Sequence, residues 1–537
     1  MIRRILAAFF LFFMVAALIQ CARRGSPTGG PKDEEGPVLL SAEPENMTIN
    51  FKAEKIRLYF DEYIKLEKLQ EQLIVSPPLK YLPEITPQGG TNKYVEIKIK
   101  DTLKENTTYT LNFGQSIVDN NEGNPNSFLT YVFSTGSYID SLQLQGVVKD
   151  AFNQKADEFI SVMLYEMDTA YTDSTIYQRP PNYITNTLDS TIIFTIDNIK
   201  QGRYALFAVK DESKNNIFDQ NTDKIGFVTD TIDIPTDSIF LLNMFKEIPN
   251  YAMSVPNFAA KNKISFGYYG DISGVTIAPL TVLPDTIRTT LLKEREKDTL
   301  NYWFTPFETD SILFTVTNER LKVIDTFNIK SRKVDLDSLR LQPNLSGSID
   351  FNQSYHIAAN IPLTKLDSSK ISIMNADSTQ VAFAVTLDSI ENKVDFDFKT
   401  EPDQTYSLSL LPGALTDFFG TENDSVNYNL RTKSLADYGN LSLTIDGKVE
   451  YPIMVQLTNE KGEVKREIYA AEEQLFEFNT ILPATYRIRV IFDANANRKW
   501  DTGNLLQKMQ PERVVYYPGP IEMRANWEKI ETFTLTE

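Results

Sequence analysis

Oxygen-bearing side chains recur at one spacing in two segments of this 537-residue chain. In each segment they stand at positions i, i+2, i+4 and i+8, where alternate side chains of a tight loop can converge on one cation. They are Asp493, Asn495, Asn497 and Asp501 in the later segment, and Asp211, Ser213, Asn215 and Asp219 in the earlier one. Because carboxylate and amide oxygens are ligands that Ca²⁺ accepts in proteins, the spacing predicts two calcium sites.

Neither segment is an EF-hand, since both lack the glycine at the sixth position and the glutamate at the twelfth. A second interpretation stays open. Asx turns would reverse the chain between two strands, with the ring of Phe218 or Trp500 packed beneath the loop. Calcium is the one cofactor that the sequence suggests.

The two segments belong to a longer internal repeat with a constant offset of 282 residues, from Phe194 to Phe476. Phe194-Thr-Ile196 matches Phe476-Glu-Phe478, and Gly202-Arg-Tyr204 matches Ala484-Thr-Tyr486 ahead of the aligned oxygen ligands. A match of this length without gaps indicates two copies of one domain.

The amino-acid composition excludes most of the familiar kinds of catalytic site. The chain has one Cys, Cys21, and one His, His356, so it can form neither an intrachain disulfide nor a zinc site with two histidines. Its 54 Lys and Arg against 72 Asp and Glu give a net charge of −18. We expect no nucleic-acid partner, because binding a phosphate backbone needs clustered cations.

Paired carboxylates are the remaining route to catalysis. Asp61-Glu62, Asp157-Glu158 and Asp395-Phe-Asp397 could each supply the acid and base of a glycoside-active enzyme, which needs no histidine. Solvated strand faces explain such pairs better, because half-exposed sheets alternate charged and apolar side chains. We therefore predict a protein without enzymatic activity, with glycoside hydrolysis as a remote alternative.

Three groups of tyrosines are candidates for contact with a glycan or a protein: Tyr177 and Tyr183, Tyr268-Tyr269, and Tyr516-Tyr517. Tyrosine on a loop offers rigid and amphipathic contact area. The alternative use of these rings is packing between neighbouring domains, because apolar rings are usually buried.

The elements that must position all these residues are strands. Alternating runs such as those over 56–60, 94–99 and 108–113 recur between Asn, Gly, Pro and Asp turns, which is typical of antiparallel sandwiches. Residues 37–136 resemble the SbsA-type bacterial Ig-like domain, a family of spacer and adhesive modules. The resemblance rests on Leu58-Tyr-Phe60-Asp-Glu62, Asn106-Thr-Thr-Tyr109-Thr-Leu111 and Tyr131-Val-Phe133-Ser-Thr-Gly136.

Weaker resemblances extend this organisation along the chain. Leu415-Thr-Asp417 echoes Ile117-Val-Asp119, and both copies of the repeat resemble transthyretin-like or carboxypeptidase-regulatory-like sandwiches. We predict an all-β fold, a string of about five β-sandwich domains. The predicted ranges are 37–136 (SbsA-type Ig-like), 137–249 (transthyretin-like), 250–336 (divergent sandwich), 337–435 (Ig-like) and 436–537 (transthyretin-like).

The N-terminus resembles a bacterial lipoprotein signal peptide over 1–20, with Arg3 and Arg4, an apolar run over 5–19 and then Cys21. In that class the cysteine is lipidated, and an uncleaved anchor is the alternative. Residues 21–36 are rich in Gly, Pro and charge and predict a flexible tether. Lys32-Asp-Glu-Glu35 resembles the sorting signals that send Bacteroidota lipoproteins to the cell surface, although an ordinary solvated linker would look the same.

The whole layout resembles large Bacteroidota surface lipoproteins built from Ig-like modules. The resemblance implies a lipid-anchored scaffold or binding protein at the outer membrane, facing the cell surface. It also implies a partnership with an outer-membrane β-barrel protein, for example as an accessory subunit of the β-barrel assembly machinery. A surface adhesin or glycan-binding lipoprotein is the alternative.

Overall fold

The computed structural model describes residues 33–187 and 192–535. Within these ranges almost all regular structure is β-strand, which confirms the predicted all-β fold of serial sandwiches. The predicted signal peptide over 1–20, the predicted lipidation site Cys21 and most of the predicted tether over 21–36 lie outside the described residues. No helix of the described ranges has the length and apolarity needed to cross a bilayer.

The chain divides into two compact units. One contains the residues up to Gln143 together with Asp197–Lys200, and the other contains Leu144–Ile196 and the residues from Gln201 onward. The first sandwich lies in the first unit. The other four sandwiches lie in the second unit, apart from the few residues just named.

The first sandwich has eight strands and one short helix. They are β1 (Leu39–Glu43), β2 (Lys55–Leu66), α1 (Leu69–Gln72), β3 (Ile74–Ser76), β4 (Glu84–Thr86), β5 (Asn92–Lys98), β6 (Thr108–Asn112), β7 (Ile117–Asp119) and β8 (Thr130–Ser134). One sheet has the order β1-β2-β5-β4 with β7 also beside β2, and the other has the order β3-β6-β8. Ile56, Leu58 and Phe60 of β2 are buried in the core, as the two-residue period of a strand requires.

The second sandwich contains the first copy of the repeat. Its strands are β9 (Leu142–Asp150), β10 (Ser161–Glu166), β11 (Tyr183–Asn186), β12 (Ile193–Ile199), β13 (Gly202–Lys210), β14 (Lys224–Phe227), β15 (Ile232–Ile234) and β16 (Ile239–Met244), with a 3₁₀ helix at Thr175–Tyr177. The larger sheet has the order β11-β10-β13-β14 with β15 also beside β13. The smaller sheet has the order β12-β9-β16, in which β9 and β16 run parallel.

The third sandwich has eight strands. They are β17 (Ala252–Met253), β18 (Asn257–Ala260), β19 (Lys263–Tyr269), β20 (Val275–Pro279), β21 (Thr289–Lys293), β22 (Thr299–Phe304), β23 (Ser311–Asn318) and β24 (Val323–Lys330). One sheet has the order β17-β19-β22-β21 with β18 also beside β19, and the other has the order β20-β23-β24. Phe266 of β19 and Phe314 of β23 meet edge to face in the core, with ring centroids 5.3 Å apart.

The fourth sandwich has ten strands. They are β25 (Leu341–Pro343), β26 (Gly347–Ser348), β27 (Tyr355–Ala359), β28 (Leu363–Leu366), β29 (Ile371–Met374), β30 (Phe383–Asp388), β31 (Lys393–Phe398), β32 (Thr405–Leu410), β33 (Leu415–Asp417) and β34 (Val426–Arg431), with a 3₁₀ helix at Ser368–Lys370. The sheets have the orders β25-β27-β31-β30 and β26-β34-β32-β29, and β28 pairs with β33.

The fifth sandwich contains the second copy of the repeat. After a 3₁₀ helix at Leu435–Asp437, its strands are β35 (Gly439–Gly447), β36 (Ile453–Thr458), β37 (Val464–Ala470), β38 (Phe476–Ile481), β39 (Ala484–Phe492), β40 (Val514–Tyr516), β41 (Ile521–Met523) and β42 (Glu528–Leu535). Its sheets have the orders β37-β36-β39-β40, with β41 also beside β39, and β38-β35-β42. This is strand for strand the order of the second sandwich, so the two copies share one topology.

The central strands of the two copies depart from simple alternation. In β13 every residue from Tyr204 to Val209 is buried, and in β36 all six residues are buried. Strands that are buried on both faces need a cover on the outer face of their sheet as well as a core on the inner one. The outer cover of each copy therefore has to be sought outside its own sandwich core.

Candidate functional site

The loop predicted to bind calcium in the second copy begins where β39 ends. Asp493 is fully buried, and its Oδ1 and Oδ2 accept the backbone N–H groups of Asn497 at 3.0 Å and of Arg498 at 2.8 Å. The side-chain amides of Asn495 and Asn497 both donate to Oδ2 of Asp501, the latter at 2.7 Å. The structure thus brings all four predicted side chains together in one turn.

The equivalent loop of the first copy is closed by the same kind of hydrogen bond, from a backbone N–H to an aspartate carboxylate. Oδ2 of Asp211 accepts the backbone N–H of Asn216 at 2.6 Å, and the hydroxyl of Ser213 lies 3.5 Å from Oδ1 of Asp211. The side chains of Asn215 and Asp219 each accept a backbone N–H two residues further along, at 2.8 Å. Asp219 therefore caps its own following turn.

A further carboxylate, which the spacing of the oxygen side chains does not predict, closes the second-copy loop. Oε1 of Glu512 accepts the backbone N–H of Ala494 at 2.8 Å, and Oε2 accepts that of Asp501 at 3.0 Å. Burial raises the pKa of Glu512 above its ordinary value, and the charges of Asp501 and Asp493 act in the same direction. Glu512 thereby links the second residue, Ala494, and the last residue, Asp501, of the turn that Asp493 begins.

Asp223 has the same role in the first copy. Its Oδ1 accepts the backbone N–H of Glu212 at 3.2 Å, and its Oδ2 accepts that of Asp219 at 2.9 Å. Glu212 and Asp219 are the repeat equivalents of the two residues that Glu512 bridges. Because the bridging carboxylate comes at different distances along the chain in the two copies, the constant offset of the repeat gave no signal for it.

These contacts fit the Asx-turn interpretation. Both oxygens of Asp493 are engaged by backbone N–H groups, so the turn is closed by the chain itself. Within the part of the chain that the structure describes, no group of three or more His, Cys, Asp or Glu residues is arranged to hold a metal ion. Calcium binding at either loop remains a prediction.

The rings beneath the two loops have different neighbours. Phe218 is buried in its own sandwich, with its ring centroid 5.2 Å from that of Tyr177. Trp500 instead lies 4.7 Å from Phe152, which belongs to the turn after β9 in the other copy. The indole N–H of Trp500 also donates to the backbone carbonyl of Glu512 at 3.0 Å. The second-copy loop therefore contacts the first copy.

Phe152 is the centre of this contact between copies. The guanidinium of Arg489 in β39 lies 4.2 Å from the centroid of its ring, within the range of a cation–π interaction. The hydroxyl of Tyr516 donates to the backbone carbonyl of Phe152 at 2.8 Å. The turn that contains Phe152 is held by Asp150, whose Oδ1 accepts the backbone N–H of Phe152 at 2.9 Å. Phe152, which no sequence pattern predicts to be a contact residue, thus joins the two copies.

A second group of contacts is polar and lies after β16. Glu247 is 2% exposed and accepts hydrogen bonds from the backbone N–H of Leu505 and, at 2.8 Å, from the side-chain amide of Gln220. The hydroxyl of Thr502 donates to the backbone carbonyl of Lys246 at 2.6 Å. Each carboxylate oxygen of the buried Glu247 thus has a hydrogen-bond donor, as burial of a charge requires.

Close approach of the Gly503 backbone to a side chain of the first copy accompanies these bonds. A Cβ placed on Gly503 would lie 2.6 Å from the ring of Phe245, which only glycine avoids without movement. The side-chain amide of Gln510 donates to the backbone carbonyl of Phe227 at 2.9 Å. The segment that follows Asp501 therefore lies directly against the first copy.

The cover also explains buried polar residues on the outer face of the fifth sandwich. Arg489 and Gln456 face away from the core of the sandwich yet are only 3% and 7% exposed, and Nε of Arg489 donates to Oε1 of Gln456. Phe152 of the first copy lies over this pair. A buried charge of this kind is tolerated because Nε and Nη1 of Arg489 donate to Gln456 and Tyr516 and the ring of Phe152 contacts the guanidinium.

The paired carboxylates occupy ordinary structural positions. Asp157 lies 2.7 Å from the ammonium of Lys224, and Asp395 lies 3.3 Å from that of Lys393. Oδ1 of Asp61 accepts the backbone N–H of Val38 at 2.8 Å. Ion pairing and capping thus account for one member of each pair, in three different sandwiches.

His356 and two of the candidate tyrosines, Tyr268 and Tyr517, likewise have structural positions in the sandwiches. Burial lowers the pKa of the half-buried His356 below its ordinary value. Tyr268 is buried, and the hydroxyl of Tyr517 donates to Glu531 at 2.7 Å. Beside Tyr516 lies a groove of about 250 Å³ between the copies, which is lined by Lys149, Asp150, Ala151, Asn153, Gln154, Ala156, Ile192, Val514 and Tyr516.

Comparison with protein families matches one part of the chain. Residues 33–135 match the model of the Big_5 bacterial Ig-like domain, which supports the predicted Ig-like character of the first sandwich. A search of curated proteins gave no match.

Several solved structures align over much of the chain at low similarity. The S-layer protein rSbsC is 11% identical, with a TM-score of 0.15, over 90% of this chain and 67% of that chain. SGBP-B of the Bacteroides ovatus mixed-linkage glucan utilization locus is 10% identical, with a TM-score of 0.18, over 68% and 89%. The BSP domain of a biofilm-associated protein is 8% identical, with a TM-score of 0.15, over 87% and 96%. TM-scores this low carry no inference about what this chain binds.

Proposed function

We propose that this protein is a non-enzymatic scaffold, anchored to the outer membrane by lipid at Cys21, that binds an outer-membrane β-barrel protein as an accessory subunit of its complex. The observation that supports the scaffold role is the contact between the two copies of the repeat. Through Phe152 and Glu247 the second sandwich is joined to the fifth, although two other sandwiches separate them along the chain. A chain of independent modules would have no such contact.

Neighbouring sandwiches in the same unit are joined as well. Between the third and fourth, Arg288 donates to the backbone carbonyl of Phe418 at 2.8 Å, and Trp303 packs in a buried cluster with Phe418. Between the fourth and fifth, the hydroxyl of Tyr438 donates to Asp350 at 2.7 Å. These contacts link the third, fourth and fifth sandwiches in sequence, and the contact between copies links the fifth to the second.

Such a unit suits docking better than catalysis. Four sandwiches held together present their loops and strand edges at set distances, so that a partner of defined shape can be bound without ordering the modules at the moment of association. The candidate acid–base pairs belong to three different sandwiches, and each has a member in an ion pair or a cap. A protein with this layout does its work by recognition.

The anchor and tether would set where that recognition takes place. A single lipidated cysteine followed by a Gly- and Pro-rich segment keeps the folded domains near the membrane while leaving them free to turn toward a partner. Net acidity of −18 also keeps the domains from adhering to anionic lipid head groups.

The proposal is tested by affinity purification of the tagged, full-length lipoprotein from outer membranes in a mild detergent, with the co-purifying proteins quantified. We expect stoichiometric recovery of an outer-membrane β-barrel protein. The variant Cys21→Ser should leave the membrane fraction and lose that partner, whereas Ser26→Ala in the same tether should behave as the parent. Recovery of the lipoprotein alone, at every detergent concentration that keeps it folded, would contradict the subunit role.

A second candidate function, saccharide binding, is favoured by the groove between the copies. Its lining includes Asn153 and Gln154, which carry side-chain amides, and also Ala156, Val514 and Tyr516, which contribute apolar groups and a ring. Amides beside an apolar surface and a ring can bind the hydroxyls and the C–H face of a sugar. Glycan-array binding that is lost in the double variant Asn153→Ala and Gln154→Ala would support this function, and an array without signal would eliminate it.

A further inference from the structure

One row of side chains across the larger sheet is apolar in the second sandwich and polar in the fifth. In the second sandwich the row is Ile184, Met163, Phe207 and Phe227, and in the fifth it is Glu467, Gln456, Arg489 and Tyr516. The two rows are equivalent, because the sheets share one strand order and Arg489 stands 282 residues after Phe207. The whole row has therefore changed its chemistry between the copies.

Hydrogen bonds run along the polar row and end at the groove between the copies. The side-chain amide of Gln456 donates to Glu467, and its oxygen accepts from Nε of Arg489. Nη1 of Arg489 donates to the hydroxyl of Tyr516 at 3.4 Å, and that hydroxyl donates to the backbone carbonyl of Phe152 at 2.8 Å. The row thus holds Tyr516, which lines the groove, in one orientation.

Arg489 brings a charge without a counter-charge to this wall of the groove. Of the charged side chains that are buried in the described ranges, it is the one cation. Its contacts there are with Gln456, Tyr516 and the ring of Phe152, and no carboxylate forms an ion pair with it. Because the equivalent Phe207 is 5% exposed, packing at this position does not require a charge. An unpaired buried cation raises the electrostatic potential beside it.

The lining of the groove supplies a second cation. Lys149 is exposed and forms no ion pair with any residue that the structure describes. Asp150 is the one carboxylate in the described lining, and it is already engaged. Its Oδ2 lies 2.7 Å from the ammonium of Lys224, and its Oδ1 accepts the backbone N–H groups of Phe152 and Asn153. On a chain with a net charge of −18, this groove is a place of uncompensated positive charge.

The uncharged part of the lining suits a sugar. The side-chain amides of Asn153 and Gln154 form no hydrogen bond within the described part of the chain, so they are available to a ligand. Such an amide both donates to and accepts from a sugar hydroxyl. Ile192, Val514 and the ring of Tyr516 add apolar surface for the C–H face of a sugar ring. An acidic peptide would use the two cations and leave this surface without a role.

We propose that the groove between the copies binds an acidic saccharide, with a sugar carboxylate at Lys149 and a sugar ring near Tyr516. This inference rests on the saccharide binding that we propose above as the second candidate function, and it names the class of ligand. The volume of about 250 Å³ lies below the roughly 300 to 1,000 Å³ of pockets for drug-sized ligands, so the groove takes a short stretch of a glycan chain.

Isothermal titration calorimetry of the full-length chain in a non-ionic detergent tests the proposal with matched probes. The probes are trimers of galacturonate, mannuronate and guluronate, each as the acid and as its uncharged methyl ester. At low salt we expect at least one acid to bind about tenfold or more tightly than its ester, because an ionic hydrogen bond is worth more than a neutral one. Added salt should reduce that difference.

Two single variants locate the charge. Lys149→Gln should weaken binding of the acid by about tenfold and leave binding of the ester unchanged. Lys399→Gln is the matched control, since it removes the same charge from an exposed lysine of the fourth sandwich that has no ion pair within the described residues. It should bind both probes as the parent does.

A double variant tests the polar row. Gln456→Met with Arg489→Phe gives the fifth sandwich the two central side chains of the second, Met163 and Phe207, and should reduce the preference for the acid while the circular dichroism stays that of the parent. If this variant fails to fold, Lys149→Gln decides the question, because its side chain is exposed.

The contrary outcomes are distinct. Equal affinity for acid and ester, lost in the double variant Asn153→Ala and Gln154→Ala, overturns the acidic ligand and leaves saccharide binding standing. No binding of any trimer, acid or ester, overturns this inference together with the saccharide function. A triglutamate peptide that binds as tightly as the best trimer, and equally depends on Lys149, would assign the groove to an acidic peptide and overturn the proposal.

Discussion

The ring of Phe152 lies 4.7 Å from the indole of Trp500, one in the first copy of the repeat and the other in the second. Trp500 stands at the end of the turn that Asp493 begins, and Glu512 closes that turn through the backbone of Asp501. The loop that the sequence marks as a candidate metal site is thus also the surface on which the first copy rests. The ordering of this loop is therefore coupled to the association of the two copies.

The first prediction concerns this pair of rings. Phe152→Ala and Trp500→Ala should each loosen the contact between copies, and together they should cost less than the sum of the two, with a coupling of about 0.5 to 1.5 kcal/mol. Hydrogen exchange of the β36 and β39 amides reports the loosening. Trp527→Ala, in the same sandwich but against Arg524, is the control and should be additive with Phe152→Ala.

The second prediction concerns the buried Glu247. Glu247→Ala leaves the backbone N–H of Leu505 and the amide of Gln220 without their acceptor and should destabilise the contact by about 1 to 3 kcal/mol. Glu247→Gln keeps one acceptor oxygen and should recover part of the loss. Limited proteolysis of the segment after Asp501 is the measurement. Equal cleavage of the parent and of Glu247→Ala would refute the assignment.

The third prediction compares two equivalent aspartates. In Asp119 burial acts to raise the pKa, but backbone N–H groups of residues 121–124 donate to both carboxylate oxygens and hold the pKa below its ordinary value. A lowered folded pKa gives stability that is present above the unfolded pKa of about 3.9 and is lost as the pH falls through the folded value.

Asp119→Asn should therefore destabilise the first sandwich by at least about 2 kcal/mol at neutral pH and flatten its loss of stability in acid. Asp417→Asn is the matched control, because only Oδ1 of Asp417 accepts backbone N–H groups, from Phe419 and Thr421. Its cost should be smaller. Denaturant unfolding between neutral and acid pH measures both, and an unchanged acid slope in Asp119→Asn would contradict the argument.

The fourth prediction is calcium binding at the second-copy loop. If calcium binds there, millimolar calcium should raise the melting temperature of the parent, because a ligand that binds only the folded state stabilises it. The double variant Asp493→Ala and Asp501→Ala should lose that shift, and Asp211→Ala should show whether the first loop contributes. A parent protein whose melting is the same with calcium and with a chelator ends the calcium hypothesis.

Local features of the sequence predicted the fold class and the position of the candidate loops. Alternation of apolar and polar residues indicates strands because the side-chain period of a strand is two, and this needs no knowledge of distant residues. The offset of 282 residues indicated a repeated domain, and the two copies share one strand order. Asp493 and Asp501 converge because both belong to one short turn.

Tertiary structure alone decided the partners of these elements. Arg489 alternates with apolar residues along β39, a pattern that indicates a solvent-facing side chain, yet it is buried because Phe152 from the other copy covers it. Glu512 and Asp223 bridge equivalent backbone groups from different distances along the chain. A sequence pattern reports only on the strand or turn that contains a residue. Burial and bridging depend instead on which distant segment packs against that strand or turn.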